Sequence, residues 1–140
     1  MSDRPRSDNG IPDGSDPVEL AHWLFDRARN GEAERLGAYV DAGAPVDLTD
    51  PGGNTLLMLA SYHGHARTVQ ILLDRKATVD AVNDRGQTPL SGAVFKGYVD
   101  VVELLLAAGG DPDAGTPSPM DTATFFGRVD LYDLLRAHRP

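Results

Sequence analysis

The sequence predicts an all-α solenoid built from about four stacked copies of a helix–turn–helix repeat. The first observation is a fixed step, because Thr55 and Thr88, and likewise Gly64 and Gly97, lie 33 residues apart. The second is that the copies share the pattern of two short amphipathic helices joined at a glycine. A unit of this size cannot bury its apolar face alone, so the copies are expected to stack into one continuous core.

The third copy shows the repeat unit in full. Thr88 is an N-cap residue and Pro89 follows it at the first helical position, where the missing N–H of proline costs nothing. Gly97 ends this helix and permits a reversal into a second helix over 99–108. Gly109 then closes the second helix in the left-handed region. The polar, Gly- and Pro-bearing sequence that follows predicts a short β-hairpin finger.

This unit resembles the ankyrin repeat, whose signature is Thr-Pro-Leu-His-x-Ala at a step of about 33. Residues 88–93, Thr-Pro-Leu-Ser-Gly-Ala, match it except at the His position, whereas 55–60, Thr-Leu-Leu-Met-Leu-Ala, lack both Pro and His. The Gly- and Asp-containing turns at 43–47 and 109–113 also agree. The resemblance covers residues of about 17–136, and the sequence is similar to small stand-alone bacterial ankyrin proteins. It implies helix pairs with hairpin fingers that bind other proteins and catalyse nothing.

Taken in order, the chain divides into an arm and four copies, at about 1–16, 17–49, 50–82, 83–115 and 116–140. The arm is polar and is expected to be disordered, because it cannot bury enough apolar surface to offset the entropy of ordering. Terminal copies have one face in water, so we expect Trp23 to be a buried capping residue of the first copy. Lys76 occupies the slot of Gly43 and Gly109, where it either accepts a positive φ or ends the helix differently. The last copy is three residues short, in its finger.

Composition restricts the classes of function. The 140 residues have a formal net charge of −8, which disfavours nucleic acid because phosphates require a basic surface. An acidic surface permits a basic partner, although it also simply keeps a protein soluble. The sequence has no cysteine, no apolar leader and no run of roughly 20 apolar residues. We therefore expect a cytoplasmic monomer without disulfides or membrane contact.

The sequence contains no catalytic constellation. His63 and His65 form a pair, but the reversal glycine separates them, and zinc requires three or four converging ligands. Five carboxylates fall on the outer faces of second helices, where solvation is a simpler interpretation than acid–base pairing: Asp74, Asp100, Glu103, Asp130 and Asp133. The glycine-rich turns lack the Lys-Ser/Thr of a phosphate loop, and no serine has a nucleophile-elbow setting. We expect no enzyme activity, metal or cofactor.

A candidate binding surface remains. The two residues before each reversal glycine are not needed for packing, and the resemblance places them on a concave groove beside the fingers: Arg29-Asn30, Tyr62-His63, Phe95-Lys96 and Phe125-Phe126. The repeat spacing predicts a ladder of Tyr62, Phe95 and Phe125, and rows of exposed aromatic rings serve as anchors for partners. The alternative is that these rings pack beneath the fingers. Residues at the finger tips would form a polar rim: Asp50, Asn54, Asp84, Arg85 and Gln87.

Three hypotheses for the function follow. The first is a protein-binding module whose groove, with Tyr62, His63, Phe95, Lys96, Phe125 and Phe126, holds a folded partner. The second is an acidic inhibitor or antidote that covers a basic enzyme such as a toxin nuclease, and strong salt dependence of binding would distinguish it. The third is an enzyme or ligand-binding protein that uses His63 and His65.

Overall fold

A computed structural model describes residues 16–139, which form a series of eight α-helices. They are α1 (Pro17–Asn30), α2 (Ala33–Asp41), α3 (Leu56–Tyr62), α4 (Ala66–Asp74), α5 (Pro89–Lys96), α6 (Val99–Ala107), α7 (Pro119–Phe125) and α8 (Val129–Ala137). The predicted arm lies outside the described residues, except for Asp16, which caps α1. None of these helices, the longest of which has 14 residues, is long and apolar enough to cross a membrane.

The helices pack as consecutive pairs, α1 with α2 through α7 with α8. Between pairs, α1 packs on α3, α3 on α5 and α5 on α7, while α2 packs on α4 and α4 on α6. One buried apolar cluster runs through all four pairs, from Leu24 to Leu135. This is the stack of helix pairs that the step of 33 predicts, so the all-α solenoid is confirmed.

Polar caps start the first helix of every pair. The side chains of Asp16, Thr55, Thr88 and Ser118 each accept a hydrogen bond from a backbone N–H in the first turn, at 2.9–3.1 Å. Thr88 also forms a reciprocal capping box with Ser91. These bonds satisfy amides that have no partner inside the helix, which fixes where each helix begins.

Backbone conformation explains where the helices end. Gly64 and Gly97, at the reversals after α3 and α5, have φ of 77° and 79°, a region open to glycine at no steric cost. Lys76 has φ of 69° and is the one non-glycine with positive φ among residues 16–139, so it accepts the left-handed conformation of its slot. The indole of Trp23 is buried against Tyr39, with ring centroids 4.8 Å apart, as expected of a capping residue.

The fingers differ from the prediction. Residues 16–139 contain one isolated antiparallel bridge, Thr49 with Thr55, and no strand, so the β-hairpins are not confirmed. Each of the two fingers that begin at Asp50 and Asn83 is closed by two backbone hydrogen bonds. Asp50 N–H donates to Asn54 and Asn83 N–H donates to Gln87, both at 3.0 Å, while the carbonyl oxygens of Asp50 and Asn83 accept from Gly53 and Gly86. The side chains of Asp50 and Asn83 accept bonds from amides within the turn, so these amides cannot form a ladder.

Candidate functional site

A groove lies between the fingers and the row of first helices, and it has two compartments that share Tyr62 and Gln87. The aromatic compartment, about 250 Å³, is lined by Tyr62, Gln87, Ser91, Gly92, Phe95, Pro117, Thr122 and Phe126. The polar compartment, about 310 Å³, is lined by Arg29, Asp50, Asn54, Met58, Leu59, Tyr62, His63, Asn83, Arg85 and Gln87. The groove therefore brings residues of all four helix pairs or their fingers to one face.

The aromatic rings of successive repeats lie side by side on this face. The rings of Tyr62 and Phe95 are stacked, with centroids 6.5 Å apart and planes inclined by 9°. Both residues keep part of their surface in solvent, with 37% and 43% accessible. The two repeats thus form one continuous aromatic surface, because each ring is at the last turn of its helix and the helices are stacked in register.

The ladder continues through Phe126, whereas the sequence placed Phe125 there. The Phe126 ring contacts Phe95 edge-on, with centroids 5.2 Å apart, while Phe125 contacts Phe126 and is 81% exposed. Phe126 directly precedes the reversal Gly127, and its ring contacts a ring of the preceding repeat. Lys96 directly precedes Gly97 and likewise lies over a ring of the preceding repeat, with its ammonium nitrogen 5.0 Å from the centre of the Tyr62 ring.

Several lining residues were missed by the sequence interpretation. Gly92, Pro117 and Thr122 line the aromatic compartment, and a Cβ at Gly92 would contact the Tyr62 ring at 3.4 Å. A glycine inside a helix destabilises it by about 1 kcal/mol relative to alanine. A glycine inside α5 is therefore a signal in the sequence that could have drawn attention to this position.

The finger residues have unequal roles. Asn83 is buried, donates to Asn54 and Gln87 at 2.8 and 2.9 Å, and accepts from two finger amides. Of the predicted rim, Asp50, Asn54 and Gln87 are thus bonded within the fingers. Asp84 and Arg85 are exposed. That these five residues contact a partner stays a prediction.

Basic side chains surround His63 in the groove. Arg29 pairs with Asp26 at 3.0 Å and lies 3.9 Å from Asp50. The pKa of His63 is lowered from its ordinary value, first because the ring is partly buried and then because His65, Lys96 and Arg29 are nearby. The three neighbours therefore disfavour a positive charge on the His63 ring.

The histidine pair is partly committed to structure. The rings of His63 and His65 are nearly parallel, with centroids 6.4 Å apart. Nε2 of His65 lies 2.7 Å from the carbonyl oxygen of Arg29, and its ring covers Gly31, where a Cβ would approach within 2.5 Å. Within residues 16–139 there is no cluster of three His, Asp or Glu side chains that could hold a metal ion. His65 therefore joins the first two repeats.

Comparison with known proteins agrees with this architecture. The family model described as ankyrin repeats (3 copies) matches residues 24–116. A Pseudomonas aeruginosa protein that bears the name of an ankyrin repeat protein is 44% identical over 71 residues. This match covers 51% of the present chain and 39% of the relative, so the chain spans well under two thirds of the relative's length.

Proposed function

We propose that this chain, which belongs to the ankyrin-repeat family, is a non-catalytic module that holds a folded protein partner in its groove. Ankyrin repeats generally mediate binding between proteins. The binding surface in this proposal comprises Tyr62, His63, Phe95, Lys96, Phe125 and Phe126, with the finger-tip residues as its rim. The proposed role is that of an adaptor or regulator.

The observation that supports this proposal is the set of exposed rings. Three of the four phenylalanines are exposed at or beside the groove, Phe95, Phe125 and Phe126, whereas only Phe25 is buried. Together with Tyr62 they form a contiguous aromatic patch, and such patches mark interaction sites because water solvates them poorly. Aromatic residues are also the commonest anchors at protein interfaces.

The proposal extends to the setting of the module. We place it in the cytoplasm as a monomer, in contact with neither nucleic acid nor membrane. The support is that the sequence has no cysteine and a net charge of −8.

The second candidate, an acidic inhibitor of a basic enzyme, is supported by a different surface. Asp100, Glu103, Asp130 and Asp133 are all exposed on α6 and α8. A basic enzyme would be attracted to these second helices, on the side away from the groove. Its binding would weaken steeply with salt and would not depend on the aromatic rings.

A pull-down from native lysate tests the proposal. The full chain, the double variant Tyr62→Ala/Phe95→Ala and the control Val99→Ala/Val129→Ala serve as baits. The control removes two exposed apolar side chains outside the groove. We expect wild type and control to recover the same partner and the groove variant to lose it. Equal recovery by all three would contradict the assignment of the groove.

A further inference from the structure

The groove has a charge opposite to that of the chain. Arg29 and Arg85 line the polar compartment, and Lys96 lies on the Tyr62 ring at its edge. Among residues 16–139 no carboxylate is within ion-pair distance of Arg85 or Lys96. Both cations are therefore available to a partner, although the chain as a whole has a net charge of −8.

The carboxylates near the groove do not cancel these charges. Asp50 lines the polar compartment, but its side chain accepts hydrogen bonds from two finger amides at 2.9 Å and only 11% of it is exposed. Asp26 is paired with Arg29. Asp84 is exposed on its finger but lines neither compartment. The charged groups left to face a ligand are cations.

The adjoining aromatic compartment favours an apolar group in the same ligand. Its walls are the rings of Tyr62, Phe95 and Phe126, and Gly92 leaves space between them and the helix. An aromatic or branched aliphatic side chain would bury its surface there. Because the two compartments share Tyr62, one continuous segment can occupy both.

We propose that the groove binds an extended acidic segment of its partner, with carboxylates facing Arg85 and Lys96 and a neighbouring apolar side chain in the aromatic compartment. This inference rests on the proposed function and specifies the chemistry of the partner. Charge complementarity selects an acidic segment and repels a basic one. Single-stranded nucleic acid also uses cations and aromatic rings, but the net charge of −8 opposes a polyphosphate.

Selection from a random peptide library displayed on phage tests the inference with the full chain as bait. We expect enrichment of peptides in which Asp or Glu neighbours Phe, Trp or Leu, with Lys and Arg depleted. The best peptide should bind Arg85→Glu/Lys96→Glu at least about tenfold more weakly than wild type, because its carboxylates then face like charge. The control Lys76→Glu/Arg136→Glu changes net charge equally, outside the groove, and should retain the affinity.

Other outcomes overturn the inference. These are enrichment of basic peptides, an absence of enrichment, equal losses in both charge variants, or tighter binding of labelled oligothymidine than of any selected peptide. Urea melts of each variant establish that a lost affinity is not a lost fold. If basic peptides are selected while Tyr62→Ala/Phe95→Ala still loses the lysate partner, the proposed function stands and only the acidic specificity fails.

Discussion

At the scale of single residues, one slot of small side chains sets how closely the repeats pack. Ala60, Ala93 and Ala123 are equivalent and buried. We expect Ala93→Leu to lower the free energy of unfolding by about 1–3 kcal/mol, because the added carbons must displace packed neighbours. A urea melt measures this, with Ala107→Leu at an exposed position of α6 as the control. A midpoint unchanged by Ala93→Leu would show that the slot is not close-packed.

Lys76 stores backbone strain in a slot that two other repeats give to glycine. Its φ of 69° costs an L-residue about 1–2 kcal/mol. Lys76→Gly should therefore raise the thermal midpoint. The gain will be reduced in part because glycine increases the conformational entropy of the unfolded chain. Lys76→Ala keeps the strain and removes the side chain, so it should give no such gain. Equal midpoints for the glycine and alanine variants would contradict the strain.

His63 links stability to pH. Its pKa is lowered in the folded protein, so the neutral ring is favoured there and the unfolded chain binds the proton more readily. The contribution of His63 to the free energy of unfolding is present above pH of about 6.5 and is lost as pH falls through the lowered folded pKa. His63→Gln should flatten the pH dependence of the free energy of unfolding below neutrality, which urea melts at a series of pH values measure. The same dependence in wild type and variant would contradict the linkage.

At the scale of elements, the helices were predictable and the fingers only partly so. N-caps, prolines and reversal glycines are local signals, and each acts on backbone within a turn of itself. The finger conformation depends instead on contacts between repeats, such as the bond from Asn83 to Asn54. No sequence window contains that information, so strands were predicted where side chains close the turns.

Asn83 is expected to be the principal support of its finger. Asn83→Ala should lower the free energy of unfolding by about 1–3 kcal/mol, because buried partners lose their hydrogen bonds. Asn83→Asp keeps the two acceptor bonds, but it places a carboxylate oxygen against the side-chain oxygens of Asn54 and Gln87, so it should also destabilise the protein. Urea melts measure both variants, and an unchanged midpoint for Asn83→Ala would contradict the supporting role of Asn83.

The site was predictable to the extent that the repeat register determines it. Register placed Tyr62 and Phe95 together correctly. Register predicted Phe125 as the next ring of the ladder, but Phe126 contacts Phe95 instead. Which ring meets its neighbour depends on the direction in which side chains point at the end of the helix, and position within the repeat does not determine that direction. Register also gave no sign that Asn83 is buried, which only the packed fingers reveal.

At the scale of the whole molecule, net charge describes the surface poorly. Four carboxylates are exposed on α6 and α8, Asp100, Glu103, Asp130 and Asp133, whereas the unpaired cations Arg85 and Lys96 flank the groove. The net charge of the chain suggested a basic partner, whereas the arrangement of charges favours an acidic partner at the groove. The two surfaces lie on opposite helices of each pair, so a single module can present both.

The central claim is that successive repeats align their side chains into one exposed aromatic face. Nuclear Overhauser contacts between ring protons of the free full chain, recorded with a soluble paramagnetic probe, test it most directly. We expect Tyr62–Phe95 and Phe95–Phe126 contacts, with all three rings accessible to the probe. Rings that contact the buried core instead, or that are shielded from the probe, would contradict it.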